Sequence, residues 1–160
     1  MGRPRSCPRT TSRIKNSKLK MQNYNSKFKI LPHTADLKIR AFGKTKEEVF
    51  LNALFGMSES MKPEIKKQEE TVAREIKISS LDLPSLLVDF LSEVLYLTQV
   101  NKEIYTEAKF KKFTGTELKA ELIGKKVERF GEDIKAVTYH GLDIHQRGDG
   151  IWEAAILFDI

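Results

Sequence analysis

The chain has 160 residues, 40% of them apolar and 31% charged, enough for one domain burying roughly two-thirds of its extended-chain surface. That composition excludes wholesale disorder, and a lone cysteine, Cys7, excludes an internal disulfide framework or a cysteine zinc site. The net charge of +6 is uneven: residues 1–27 hold eight basic groups and no acid, leaving 20 basic against 22 acidic residues over 28–160. The basic arm can add weak RNA phosphate contacts, but a near-neutral body lacks the electrostatic footprint of a nucleic-acid-binding fold.

Residues 1–26 include Pro4, Pro8, several Ser and Asn and few apolar side chains, which predicts a disordered basic tail ahead of a folded domain over 27–160. An Arg-rich, acid-free transit peptide and a start codon assigned upstream of Met21 are two accounts of it. From Phe28 the pattern becomes regular. Leu37, Ile39 and Ala41 alternate with Asp36, Lys38 and Arg40, a half-buried strand ending at Gly43. Thr45 and Glu48 have the spacing of a capping box, Phe50, Ala53, Leu54, Met57 and Met61 share one helical face, and Pro63 closes the helix. Ile76 and Ile78 mark a strand running to about Ser79. Asp82 then caps, Pro84 sits in the first turn, and Leu83, Leu86, Leu87, Phe90, Leu91, Val94 and Leu95 recur at helical spacing to about Val100. Its three acids, Asp82, Asp89 and Glu93, make this stretch a poor membrane span.

Only strand signals follow: Ile104 to Phe113, Thr116 to Val127, Leu142 to Arg147 and Ile151 to Phe158, with turns at Gly115 and Gly148-Asp149-Gly150. Few helices and no strict β-α-β alternation predict an α+β fold, a compact two-layer sandwich of mostly antiparallel sheet with two main helices packed on it.

Two carboxylates fall out of phase with their apolar neighbours. Asp36, in His33-Thr34-Ala35-Asp36, points away from the face of Leu37 and Ile39, either as a functional group or as a turn aspartate bonding nearby backbone. Asp159 faces away from Trp152, Ala154, Ile156 and Phe158, one residue before Ile160, whose α-carboxylate is expected to add a further anion. A bound cation relieves that repulsion; so does a wet, frayed terminus. His33, His140 and His145 lack the spacing of a helical zinc pair; His33 and His140 are more often structural, and His145 alternates with Ile144 towards solvent. Lys135 opens a short mixed run and is equally a solvated surface lysine.

Taken in order, His33-Thr34-Ala35-Asp36, Asn52-Ala53 with Phe55-Gly56-Met57, Leu86-Leu87-Val88-Asp89-Phe90-Leu91 with Leu95-Tyr96, Lys135-Ala136-Val137-Thr138-Tyr139-His140, and the closing Phe158-Asp159-Ile160 resemble the archease family over about 28–160. The basic tail lies outside that pattern, and Leu37-Lys38 stands where the family has a small or glycine-containing pair. The resemblance implies a non-catalytic cofactor of an RtcB-type RNA ligase, cytoplasmic, acting in tRNA splicing and RNA repair by promoting ligase guanylylation and turnover. It implies a metal site at Asp36, Asp159 and Ile160, whose oxygen donors suit Ca²⁺ best, with Mg²⁺ or Mn²⁺ as alternatives. Lys135, His140 and His33 are its candidates for ligase activation, and tRNA is reached through the ligase. Two rival classes stay open from the residues alone: a nucleic-acid-binding module, or a small metal-dependent phosphoesterase using Asp36, His140 and Asp159.

Overall fold

A computed structural model describes residues 27–31, 35–67 and 70–160, which form eight strands and two helices. In chain order these are β1 (Phe28–Leu31), β2 (Asp36–Gly43), α1 (Lys46–Ser60), β3 (Pro63–Ile65), β4 (Thr71–Ser79), α2 (Leu83–Asn101), β5 (Glu103–Phe113), β6 (Glu117–Phe130), β7 (Ala136–Gln146) and β8 (Trp152–Asp159). The expected α+β architecture is found, with every described strand pair antiparallel. The strands divide between two sheets: one in the order β1-β2-β8-β7, the other built around β6, which pairs with β3, β4 and β5. The predicted disordered tail, 1–26, lies outside the described residues.

Both helices start where the sequence says they should. The Thr45 hydroxyl accepts from the Glu48 N–H at 3.1 Å, while the Glu48 carboxylate reaches one residue further back, to the Lys44 N–H at 3.0 Å. The Asp82 carboxylate accepts from the Ser85 N–H at 2.9 Å. Each contact satisfies a donor that the helix itself cannot pair. Lys102, at φ 52°, ends α2 in the left-handed region.

The core forms where helices and sheets converge. α1 touches β1, β2 and β8 of the first sheet and β5 of the second; α2 touches β7 of the first and β4 and β5 of the second. By length and composition α2 alone among the described helices could cross a membrane, but Leu86, Leu87, Phe90, Leu91 and Val94 are buried in this core. A chain of aromatic rings links the layers: Phe50 of α1 meets Phe113 at 4.9 Å and Phe90 at 5.7 Å, and Phe90 meets Phe110 at 5.8 Å. Edge-to-face and tilted pairs at these separations add to the burial of their large apolar area.

One buried charge cluster ties the second sheet together. Glu103 has no exposed surface, yet it accepts from Arg74 of β4 at 3.0 and 2.9 Å, from the Tyr105 hydroxyl, and pairs with Lys126 of β6 at 3.1 Å. Burial alone pushes the Glu103 carboxyl up; the hydrogen bonds from Arg74, Tyr105 and Lys126 outweigh it and hold the group at about 2, below its ordinary 4.5. A carboxylate with a lowered folded-state pKa contributes stability above its unfolded pKa and loses it as that group protonates. Acid titration should therefore weaken the fold from about pH 4.5 down to about 2, and Glu103→Gln should flatten that segment of the denaturant-stability profile. Independently, Phe90→Ala should cost about 3–5 kcal/mol, because a fully buried ring leaves a cavity its neighbours refill only in part; a loss under about 0.5 kcal/mol by denaturant titration assigns the core to another face of α2.

Candidate metal centre at the β2–β8 pair

β2 and β8 pair without interruption from Gly43↔Trp152 to Asp36↔Asp159. Side chains alternate across a sheet, so this register buries Ile39 and Ala41 beside Ile156 and Ala154, and sets Asp36 and Asp159 on the opposite face. The two aspartates, 123 positions apart in the chain, are direct cross-strand partners. Side chains so placed have Cβ atoms about 4.5–5.5 Å apart, and like charges directly opposite destabilise a sheet. At ~5 Å the repulsion is roughly 3 kcal/mol for an effective dielectric of 20, and under about 1 in bulk water.

The backbone leading into the pair is strained. Ala35 adopts φ 67°, a left-handed conformation that costs a non-glycine residue roughly 1–2 kcal/mol. Such strain persists where the surroundings enforce it, characteristically at functional positions. Nothing in the residue type foretold it. On the other side of β8, Ala136 of β7 faces Asp159, and the Lys135 N–H donates to the Asp159 carbonyl at 2.7 Å. Lys135 is thus brought beside Asp159 through its main chain, a link that no side-chain pattern reveals, and its own side chain is exposed.

The remaining candidates separate from this pair. His140 is exposed and lies four residues beyond Ala136, in the segment where the β7–β8 register breaks between Thr138 and Asp143. His145 bonds Asp143 at 2.8 Å further along the same strand. His33 lies outside the described residues. Among the described residues no three His, Cys, Asp or Glu side chains converge to hold a metal. The pair could offer a cation two hard carboxylate donors, and Ile160, which follows Asp159, is exposed. An all-oxygen set fits Ca²⁺ or Mg²⁺ and does not fit zinc's preferred N/S ligands.

Comparison with known proteins agrees with this architecture. Residues 28–160 match the profile of the Archease protein family. Protein archease of Methanosarcina barkeri is 39% identical over 148 residues, covering 88% of this chain and all of that protein. Protein archease of Thermococcus kodakarensis is 33% identical over 135 residues, covering 80% and 94%. Among solved structures, the solution structure of protein 1598 of Methanobacterium thermoautotrophicum superposes with a TM-score of 0.67 at 31% identity, covering 84% of this chain and 99% of that one. The fold also matches, at TM-score 0.59 and 22% identity, the 2.0 Å crystal structure of a Thermotoga maritima protein described as an archease, possible chaperone, over 82% and 96% of the two chains. With 28–160 accounted for by the family profile and whole relatives covered at more than 30% identity, the chain belongs to the archease family.

Proposed function

We propose that this protein is a non-catalytic, cytoplasmic accessory factor that activates an RtcB-type RNA ligase, through a divalent-cation site on Asp36, Asp159 and the Ile160 carboxylate. In this reading it promotes guanylylation and turnover of the ligase in tRNA splicing and RNA repair, and meets tRNA only through its partner. The observation that carries the proposal is the cross-strand opposition of Asp36 and Asp159 in a member of this family. Two anions facing each other across a strand pair repel, and a cation between them relieves that repulsion. Their oxygen chemistry favours Ca²⁺, with Mg²⁺ or Mn²⁺ next. A bound cation supplies charge neutralisation and open coordination positions. The chain's own residues hold the carboxylates in register, and the exposed Lys135 stands ready for an anionic group of the partner beside them.

Asp36→Asn and Asp159→Asn each preserve shape and remove one charge. Both should keep or raise the denaturant midpoint of the cation-free protein while weakening Ca²⁺ binding by about tenfold or more, a loss of ~1.4 kcal/mol, and should abolish most stimulation of ligase guanylylation. Extending the chain by two residues after Ile160 turns the terminal carboxylate into a neutral amide and should act likewise. If the extended protein binds Ca²⁺ by calorimetry and stimulates guanylylation like the native one, Ile160 is no ligand and the three-donor site is wrong. Lys135→Ala should leave the fold intact and reduce stimulation at matched concentration; full stimulation by that variant returns Lys135 to an ordinary solvated lysine.

A further inference from the structure

A second surface lies on the opposite side of β7 from β8. Asp89, on α2, accepts from the Ser80 hydroxyl at 2.5 Å and from the Tyr139 hydroxyl at 2.9 Å. One carboxylate thereby fastens the end of β4, the middle of α2 and the irregular part of β7 to one another. Around it stand three large side chains whose apolar surface is left largely exposed. Leu81 is 93% exposed, and Tyr96 and Tyr139 are each 58% exposed.

Leu81 is the most telling of them. It directly precedes the N-cap Asp82, the position from which a hydrophobic residue normally folds back onto the fourth helical residue as a staple. That residue, Leu86, is fully buried, and Leu81 nevertheless faces water. Its apolar surface therefore does nothing for this chain's own stability. Tyr139 is in a similar position: β7 carries three extra residues relative to β8 between Thr138 and Asp143, and Gly141 turns the backbone at φ 66°. Such bulges re-aim side chains, and here the raised tyrosine is held outward by Asp89. Shallow grooves run on both sides of Asp89, one lined by Tyr96, Glu93, Ser92 and Lys77, the other by Leu81, Ser85 and Tyr139. Asp82, Asp89 and Glu93 against Lys77 leave the surface acidic.

We propose that this surface, centred on Asp89 and flanked by Leu81, Tyr96 and Tyr139, docks an arginine-bearing, partly apolar segment of a partner protein. The charge sign selects a basic segment. Arginine fits better than lysine because its planar fork matches carboxylates and its face stacks on tyrosine rings, one of which lines each groove. Tyrosine and arginine are also the residues that concentrate binding energy at protein interfaces. Tyr139 follows Ala136, the neighbour of Asp159, by three residues, about 10 Å at ~3.3 Å per residue. The two surfaces lie that close along β7, a strand at the sheet edge, so a partner must wrap that edge to contact both. Identifying that partner as the ligase rests on the function proposed above; the docking surface itself does not.

Two measurements separate the claims. The first is affinity of native protein, Leu81→Ser, Tyr96→Ala and Glu93→Lys for the RtcB-type ligase, with guanylylation measured at saturating concentration. All three positions lie at the surface, so thermal stability should hold. The expected result is an affinity about tenfold or more lower, about 1.4 kcal/mol, increasing salt sensitivity for none of the variants, and full stimulation once saturated. The second titrates native protein with a short peptide of alternating Arg and Leu and follows side-chain NMR signals. Shifts confined to Leu81, Ser85, Tyr96 and Tyr139, lost in Glu93→Lys, support the surface even if native protein ignores the ligase, a result that removes the ligase reading alone. Shifts with unchanged ligase affinity in the variants support docking of a different basic partner. Absence of shifts together with native ligase affinity in all three variants overturns the proposal. So does a dimer in sedimentation that Tyr96→Ala dissolves, because the surface then seats a second copy of this chain.

Discussion

The register of β2 against β8 is the constraint on which the site depends. Strand side chains alternate with a period of two, so sliding β2 by one residue would turn Ile39 and Ala41 outward, and sliding β8 would do the same to Ile156 and Ala154. The same slip would drive Asp36 or Asp159 into an apolar interior. Burying a carboxylate among apolar side chains costs far more than any gain such a slip offers. Core and carboxylate pair thus enforce each other: the apolar rows against α1 define which face is inside, and the charges accept only the other one. Asp36 and Asp159 come from opposite ends of the folded segment, so their meeting is a property of the tertiary structure and of no local motif.

The second sheet makes that register affordable to hold. β6 is the longest strand, and β4 pairs with it over nine unbroken positions. On its other side β5 must come close where the register shifts between Tyr105 and Glu107, and only glycine fits there. A Cβ on Gly124 would lie 1.9 Å from the Ile104 carbonyl oxygen. Beside this tight approach the Glu103 cluster joins β4, β5 and β6 through charge-assisted hydrogen bonds, which weaken if any one partner leaves. α1 and α2 rest on strands of both sheets, so a rigid second sheet gives the first a fixed floor.

What the sequence disclosed tracks how strongly each element depends on its own residues. Both helices carry their caps and a continuous apolar stripe, and their boundaries fall within a residue or two of the expected ones. β2, β4, β6 and β8 show clear alternation. β1 and β3 were not legible: β1 has only four residues, with Lys29 and Ile30 exposed, and β3 has three, begun by the proline taken as a helix stop. The first half of β7 hid because its extra residues break the alternation that marks a strand. The division into two sheets depends on which strands pair, which periodicity does not encode. No sequence pattern singles out the roles of Glu103 and Asp89 for the same reason: only the fold supplies their partners. Asp36 and Asp159 were legible by phase as outward-facing carboxylates, but their opposition needed the β2–β8 pairing.

β7 connects the two surfaces physically. As an edge strand of its sheet it exposes backbone groups that invite pairing with another chain, and a bulge is one way that proteins blunt such an edge. Edge protection explains an irregularity somewhere in β7; it does not explain why the raised residue is a tyrosine tied to Asp89. That tie anchors the bulge to α2, and through Ser80 to the end of β4 in the other sheet. From Tyr139 the strand runs back to Ala136 and to the Lys135 N–H, which holds the Asp159 carbonyl. The outer neighbour of the carboxylate pair is therefore braced against the helix layer at a point about three residues away, and β8 is braced on its inner side by β2. Two repelling side chains held opposite one another need a frame fixed on both flanks, and this topology supplies it through main-chain pairing, β2 on one side of β8 and the Lys135–β7 segment on the other.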